Sequence, residues 1–138
     1  MEIRTSTDQT NKDFLLKGLE EYAKQFTNLD TFEKHDFGFY AYDNGKLIGG
    51  ICGKEKKGNW LYVELFYLDS KYRGQDLGTK LMNRVVELAT QKGCIGIYTD
   101  TLSFEARGFY EKMGFVLHGE LTDYPLGHSK YFLHKRLK

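Results

Sequence analysis

Between Trp60 and Thr101 the chain changes its apolar period twice, and this pattern constrains the fold more than any other feature. Trp60-Leu61-Tyr62-Val63-Glu64-Leu65-Phe66-Tyr67-Leu68 is an unbroken aromatic and aliphatic run with the composition of a β-strand. From Leu77 the apolar residues fall at helical spacing instead, with Leu77, Leu81, Val85 and Leu88 on one face and Gly93 placed to stop the helix. Cys94 to Thr101 then reads as a buried strand. Strand, helix and strand in succession make a crossover unit, which forces the two strands to lie parallel.

The rest of the chain reads as antiparallel. Phe37 to Tyr42 and Leu47 to Cys52 flank Asp43-Asn44-Gly45-Lys46, whose turn chemistry predicts a hairpin. A second turn at Lys56-Lys57-Gly58-Asn59 leads into the Trp60 strand and completes a three-stranded meander. Ahead of the meander, Glu2 to Thr5 is expected as a short edge strand. Thr10 and Asp13 follow with capping-box spacing before a helical stripe at Leu15, Leu19, Tyr22 and Phe26. Ser103 is expected to cap a helix with Ala106, Phe109, Tyr110 and Met113 inward, ended by Gly114. Phe115 to Leu121 and Ser129 to Leu137 are the last strands, separated by a loop with the only proline, Pro125. The expected class is α+β, a mixed, mostly antiparallel twisted sheet of six to seven strands flanked by about three to four helices. A length of 138 residues suits one domain spanning 1–138.

Composition removes several functions. A formal net charge of +1 offers no global field for nucleic acid or an anionic membrane, and no apolar run approaches the roughly 20 residues of a membrane span. The start, MEIRTSTDQTNKDF, lacks the apolar centre of a signal peptide, so the expected location is cytoplasmic, with Cys52 and Cys94 as free thiols. Neither cysteine has ligand spacing, and His35, His118 and His134 are scattered along the chain, so no metal is expected.

Tyr72-Arg73-Gly74-Gln75-Asp76-Leu77-Gly78-Thr79 joins the longest strand to the best helix. A glycine-bearing turn that opens a helix exposes unpaired N–H groups at the positive end of the helix dipole, which suits phosphate. Its spacing is neither that of a P-loop nor that of the G-x-G-x-x-G fingerprint.

Together with Ala106-Arg107-Gly108-Phe109-Tyr110-Glu111-Lys112-Met113-Gly114-Phe115, this stretch resembles the GNAT superfamily of N-acetyltransferases. The first segment is similar to the family's Arg/Gln-x-x-Gly-x-Gly/Ala pyrophosphate loop, with Arg73 and Gly78 at its first and last defined positions. The second is similar to its Ala-x-x-x-Tyr-x-x-x-Gly-Phe element. The detailed likeness runs from about residue 60 to 121. Asp76 departs from it by standing where the family usually has a glycine, and Ser103 by standing where it commonly has asparagine. A carboxylate beside a pyrophosphate repels it unless the side chain turns outward, as a helix N-cap would.

The resemblance implies acetyl-CoA as co-substrate, with Arg73, Gly74, Gln75, Asp76, Leu77, Gly78 and Thr79 around its pyrophosphate and Ser103 supplying a cofactor-side hydrogen bond. It implies that the strand ending at Leu68 parts from its neighbour, and that a backbone N–H of Phe66 or Leu68 polarises the thioester carbonyl. Tyr110 takes the general-acid position, its alternative being a core tyrosine. Glu64 takes the general-base position, directly or through water. Strict alternation puts Glu64, Phe66 and Leu68 on one face, with Glu64 either buried beside the cofactor or solvated. From its own chemistry, His128 is a candidate to orient or deprotonate the amine, against the plainer reading of a surface loop histidine. Tyr124, with Tyr22, Phe26, Phe37 and Phe39, suits an aromatic-walled pocket.

The expected function is acetyl transfer from acetyl-CoA to a primary amine of a small molecule or peptide, by direct attack in a ternary complex. The departures at Asp76 and Ser103 keep open a non-catalytic acyl-CoA-binding regulator on the same fold. A flavin or redox protein is set aside, because no Cys-x-x-Cys is present and the phosphate loop lies far along the chain. Monomer and homodimer both stay open.

Overall fold

The computed structural model describes residues 1–27, 35–56 and 58–138. It divides into two compact units, Met1–Phe32 and Glu33–Lys138. The first carries α1 (Gln9–Ala23). Its N-cap is Asp8 and not Thr10, because the Asp8 carboxylate accepts a hydrogen bond from the Thr10 backbone N–H at 3.0 Å. That backbone bond also holds the Asp8 carboxyl below its ordinary range. Glu2 to Thr5 form no strand. Four residues gain too few ladder bonds to offset the entropy of ordering them. Phe26 lies in the turn beyond the helix, off the expected stripe.

The second unit is a six-stranded sheet in the order β1-β2-β3-β4-β6-β5, formed by β1 (Asp36–Asp43), β2 (Lys46–Lys56), β3 (Trp60–Leu68), β4 (Gly96–Leu102), β5 (Val116–Thr122) and β6 (Ser129–Arg136). Every neighbouring pair is antiparallel except β3 and β4, which are parallel and joined through α2 (Leu77–Gln91). A short α3 (Arg107–Lys112) follows β4. Among the described residues this gives six strands and three α-helices, within the expected α+β class. Asn44 and Gly45 both take positive φ, 49° and 78°, the requirement of a tight hairpin between right-twisted strands. The expected turn before β3 includes Lys57, which lies outside the described residues.

α2 buries Leu81, Met82, Val85 and Ala89 against Ile51, Leu61, Val63, Ile97 and Leu133 of the sheet. Each such side chain contributes about 1.5–3 kcal/mol by leaving water, so this layer fixes the position of the helix. Gly93, at φ +68°, ends it: the Cys94 N–H donates to the Ala89 carbonyl at 2.8 Å and the Gly93 N–H to the Thr90 carbonyl at 3.1 Å. Phe37 and Phe39 of β1 also pack on this core.

β3 carries one residue more than its partner. Gly53 of β2 pairs with Val63, yet Cys52 pairs with Leu65, so Glu64 is a bulge. The bulge cancels strict alternation. Leu61 and Val63 face the core before it and Phe66 and Leu68 pack on the core after it, while Glu64 is exposed. A Cβ on Gly53 would lie 1.8 Å from the Tyr62 carbonyl oxygen, so only glycine lets the strands close around the extra residue. Gly53→Ala should therefore lower stability by about 1–3 kcal/mol, several degrees in Tm by thermal denaturation. An unchanged Tm would show that the bulge does not depend on Gly53.

Candidate active site

Backbone pairing of β3 with β4 stops at Val63 and Thr99, although β3 continues to Leu68 and β4 to Leu102. At the last rung the Thr99 hydroxyl donates to the Val63 carbonyl at 3.0 Å, so the strands part without stranding that acceptor. A cleft of about 660 Å³ opens beside the unpaired end of β3. Phe66, Tyr67 and Leu68 line it from β3, Arg73, Gly74 and Asp76 from the loop, and Gly78 and Thr79 from α2. Phe104, Glu105, Ala106, Phe109 and Lys112 close the far side. Sequence reasoning missed Lys112 as a second cation here; its position two residues after Tyr110 was the available signal.

The loop bends through two left-handed residues, Gly74 at φ +77° and Asp76 at φ +62°. Asp76 occupies the N-cap position but its side chain makes no capping hydrogen bond, which corrects the expectation that it caps α2. A side chain held in the left-handed region costs roughly 1 kcal/mol that glycine would avoid. With no side-chain cap, the backbone N–H groups of Leu77, Gly78 and Thr79 stay available to an anion at the dipole's positive end. The residues present thus fit a pyrophosphate.

Arg73 donates from Nε to the Leu68 carbonyl at 3.0 Å and lies 5.7 Å from the Tyr67 ring, which fixes the side chain and leaves both Nη groups for phosphate. Gln75 is exposed and bonds back to the Lys71 carbonyl. Leu77 is half-buried at the first turn of α2. A Cβ on Gly78 would meet Phe66 at 3.1 Å and Phe109 at 3.4 Å, so this glycine serves the fit of α2 against the ring pair.

Tyr110 is 3% exposed, edge-on to Phe109 and Phe115 and tilted against Phe66; Phe66 and Phe109 line the cleft. Burial pushes its phenol up to about 12, the charges of Glu105 and Asp100 add to this, and its hydrogen-bond partner Thr99 pulls the other way. Ser103 does not cap α3, whose N-cap is Ala106. The Ala106 N–H goes instead to the Thr101 hydroxyl at 3.2 Å. The Ser103 hydroxyl accepts from the Ser129 N–H at 3.1 Å and lies 3.4 Å from His128 Nδ1, so it anchors the β5–β6 loop. His128 is exposed and sits edge-on to Phe104, a residue of the cleft. Tyr124 is exposed, with the Lys130 ammonium 4.7 Å from its ring centre. Tyr22 and Phe26 lie in the N-terminal unit, their ring centres 5.4 Å apart.

Two histidines scattered in sequence do meet: His118 and His134 approach to 2.9 Å between Nδ1 atoms across β5 and β6. Among the described residues no group of three or more metal-ligating side chains forms.

A mixed sheet whose parallel pair parts beside a phosphate-binding helix start defines an acyl-CoA-binding transferase fold. The chain belongs to the GNAT acetyltransferase family, whose model matches residues 5–115. It is 38% identical over 96 residues to Blasticidin-S acetyltransferase of Streptomyces morookaense, covering 69% of this chain and 70% of that one. It is 37% identical over 94 residues to an acetyltransferase of Agrobacterium fabrum, covering 68% of each. The crystal structure of an acetyltransferase from Bacillus cereus superposes with a TM-score of 0.88 at 27% identity, covering 99% of this chain and 98% of that one. The protein is thus an acyl-CoA-dependent acetyltransferase with acetyl-CoA as its co-substrate.

The loop geometry sets two expectations for calorimetric titration with CoA. Arg73→Ala should weaken binding at least tenfold, about 1.4 kcal/mol. Asp76→Gly and Asp76→Asn should tighten it about three- to tenfold, more at low salt. Weaker binding in both Asp76 variants would reject the repulsion.

Proposed function

We propose that this single-domain enzyme acts in the cytoplasm and transfers acetyl from acetyl-CoA to a primary amine of a small molecule, by direct attack in a ternary complex. The observation that carries the reading is a buried tyrosine placed where β3 and β4 cease to pair, in contact with rings of the cleft. The likeness to Blasticidin-S acetyltransferase favours a small-molecule acceptor over a peptide. The two free thiols support the cytoplasmic location.

Direct attack is favoured because a covalent route lacks a suitable nucleophile. Cys94 is 2% exposed, and burial raises its thiol further from the reactive thiolate. Cys52 lies in β2 opposite Leu65, its thiol a hydrogen-bond partner of the Tyr40 hydroxyl. The thioester carbonyl is polarised by a backbone N–H at the unpaired end of β3, at Leu68. Tyr110 stays protonated through the working range and presents its O–H to the departing sulfur. A primary amine with an ordinary pKa near ~10.4 is almost wholly protonated at neutral pH, and losing that proton costs about 4.6 kcal/mol. Glu64, exposed on the bulge, receives it through water, with His128 the next group in line.

Tyr110→Phe keeps the ring and removes only the hydroxyl, so kcat should fall about 10²- to 10⁴-fold while CoA affinity holds. Because the phenol is raised to about 12, wild-type activity should show no descending limb from Tyr110 until the pH approaches that value. A limb near neutral pH that vanishes in Tyr110→Phe would contradict the assignment. Glu64→Gln should lower the rate at neutral pH and recover it at high pH, where the amine is already neutral. Screening amines for free-thiol release tests the whole reading: CoA binding without turnover on any of them would return the protein to a regulator.

A further inference from the structure

The face of the sheet turned away from α2 carries an ammonium in a built seat. Register places Asp100 of β4 opposite Phe132 of β6, and Leu102 opposite Lys130, so Asp100, Phe132 and Lys130 share that face. The Lys130 Nζ lies 3.5 Å from Asp100 Oδ1, 4.7 Å from the centre of the Tyr124 ring and 5.8 Å from that of Phe132. One carboxylate and two aromatic faces around a single cation are the elements with which proteins bind alkylammonium ligands. The Asp100 carboxylate is held in place from its other side, where Tyr62 donates to Oδ2 at 2.7 Å. Tyr62 is itself stacked on Tyr98 at 4.9 Å. Burial and this bond raise the Tyr62 phenol, so the donor stays protonated and the carboxylate stays aimed.

The seat is pre-organised, but its present occupant fits it poorly. At 3.5 Å the Lys130 ammonium is beyond a good charge-assisted hydrogen bond, which runs to about 2.7–2.9 Å. The pair is about a quarter exposed on each side, where ion pairs hold weakly.

The seat adjoins the reaction centre. Asp100 follows Thr99, the last residue of β4 paired with β3, and its charge reaches the Tyr110 phenol. Glu64, on the same approach, is close enough to raise the Tyr62 phenol as well. Tyr124 belongs to the loop that carries His128, which in turn touches Phe104 of the cleft.

We propose that the acceptor carries a second cationic group besides the amine to be acetylated, that this group docks between Asp100, Tyr124 and Phe132, and that Lys130 is the intramolecular stand-in it displaces. This rests on the transfer reading above. No covalent step is added. The acceptor's remote cation exchanges with the Lys130 ammonium, which swings to solvent. Asp100 therefore selects the acceptor and positions it, without touching the reacting atoms.

The test uses full-length protein with CoA bound, titrated calorimetrically with α,ω-diamines from 1,3-diaminopropane to 1,6-diaminohexane and with the monoamines of matching length. One diamine length should bind about tenfold tighter than its monoamine. Asp100→Asn should erase that preference, whereas Lys130→Met, which empties the seat, should increase it several-fold. Both variants should bind CoA as wild type does, which separates loss of the seat from misfolding. Equal affinity for diamines and monoamines, a preference that survives Asp100→Asn, or a preference reduced in Lys130→Met would each overturn the proposal. Turnover followed in parallel keeps the two readings apart: diamine preference without acetylation sinks the transfer reading alone, and acetylation without preference sinks the seat alone.

Discussion

One surplus residue in β3 governs this protein. Opposite Gly53, where a side chain would strike the Tyr62 carbonyl, the strand takes up Glu64 and changes the faces of everything after it. Phe66 and Leu68 thereby turn towards α2 instead of away from it, and pairing with the parallel neighbour ends at Val63, just before the surplus residue. The cleft, the ring contact between Phe66 and Tyr110, and the loop tied back through Arg73 to the Leu68 carbonyl all lie downstream of that step.

The two faces of the sheet carry different mixtures of charge. On the helix side, Arg73, Lys112 and the free amides at the start of α2 collect on one cleft, with Asp76 and Glu105 as the discordant charges. On the other side Glu64 and Asp100 accompany the aromatic pair Tyr62 and Tyr98. The Tyr110 phenol lies between the two fields, kept neutral by burial, so neither ligand has to be bound against its charge.

Much of this was legible in the sequence for a local reason. The crossover unit, the amphipathic α2, the hairpin at Asn44-Gly45 and the glycine turn at its helix each announce themselves within a window of some fifteen residues. Arg73, Gly78 and Tyr110 could be placed because two motifs kept register across that unit. What escaped reading depends on pairings between distant segments. The bulge is visible only once Gly53 is set against Val63, and strict alternation therefore put Glu64 on the face of Phe66. Ser103 has the chemistry of a helix cap, but its hydroxyl answers to Ser129, 26 residues on. His118 and His134 look unrelated until β5 and β6 are laid side by side. Asp76 does stand at the start of its helix, but its backbone is left-handed and its carboxylate makes no capping bond, which residue type alone does not reveal.

The unpaired end of β3 is an unfinished edge inside a sheet, and an extended ligand arm laid along it completes the sheet as an added strand would. Whatever finishes that edge also adds to the folding free energy, by about 2.7 kcal/mol when the free ligand stands at a hundred times its Kd. Proteases and quality control act on the opened chain. In a cell, then, the lifetime of this protein should follow the supply of acyl-CoA, with abundance rising when the thioester is plentiful and falling by degradation when it is scarce.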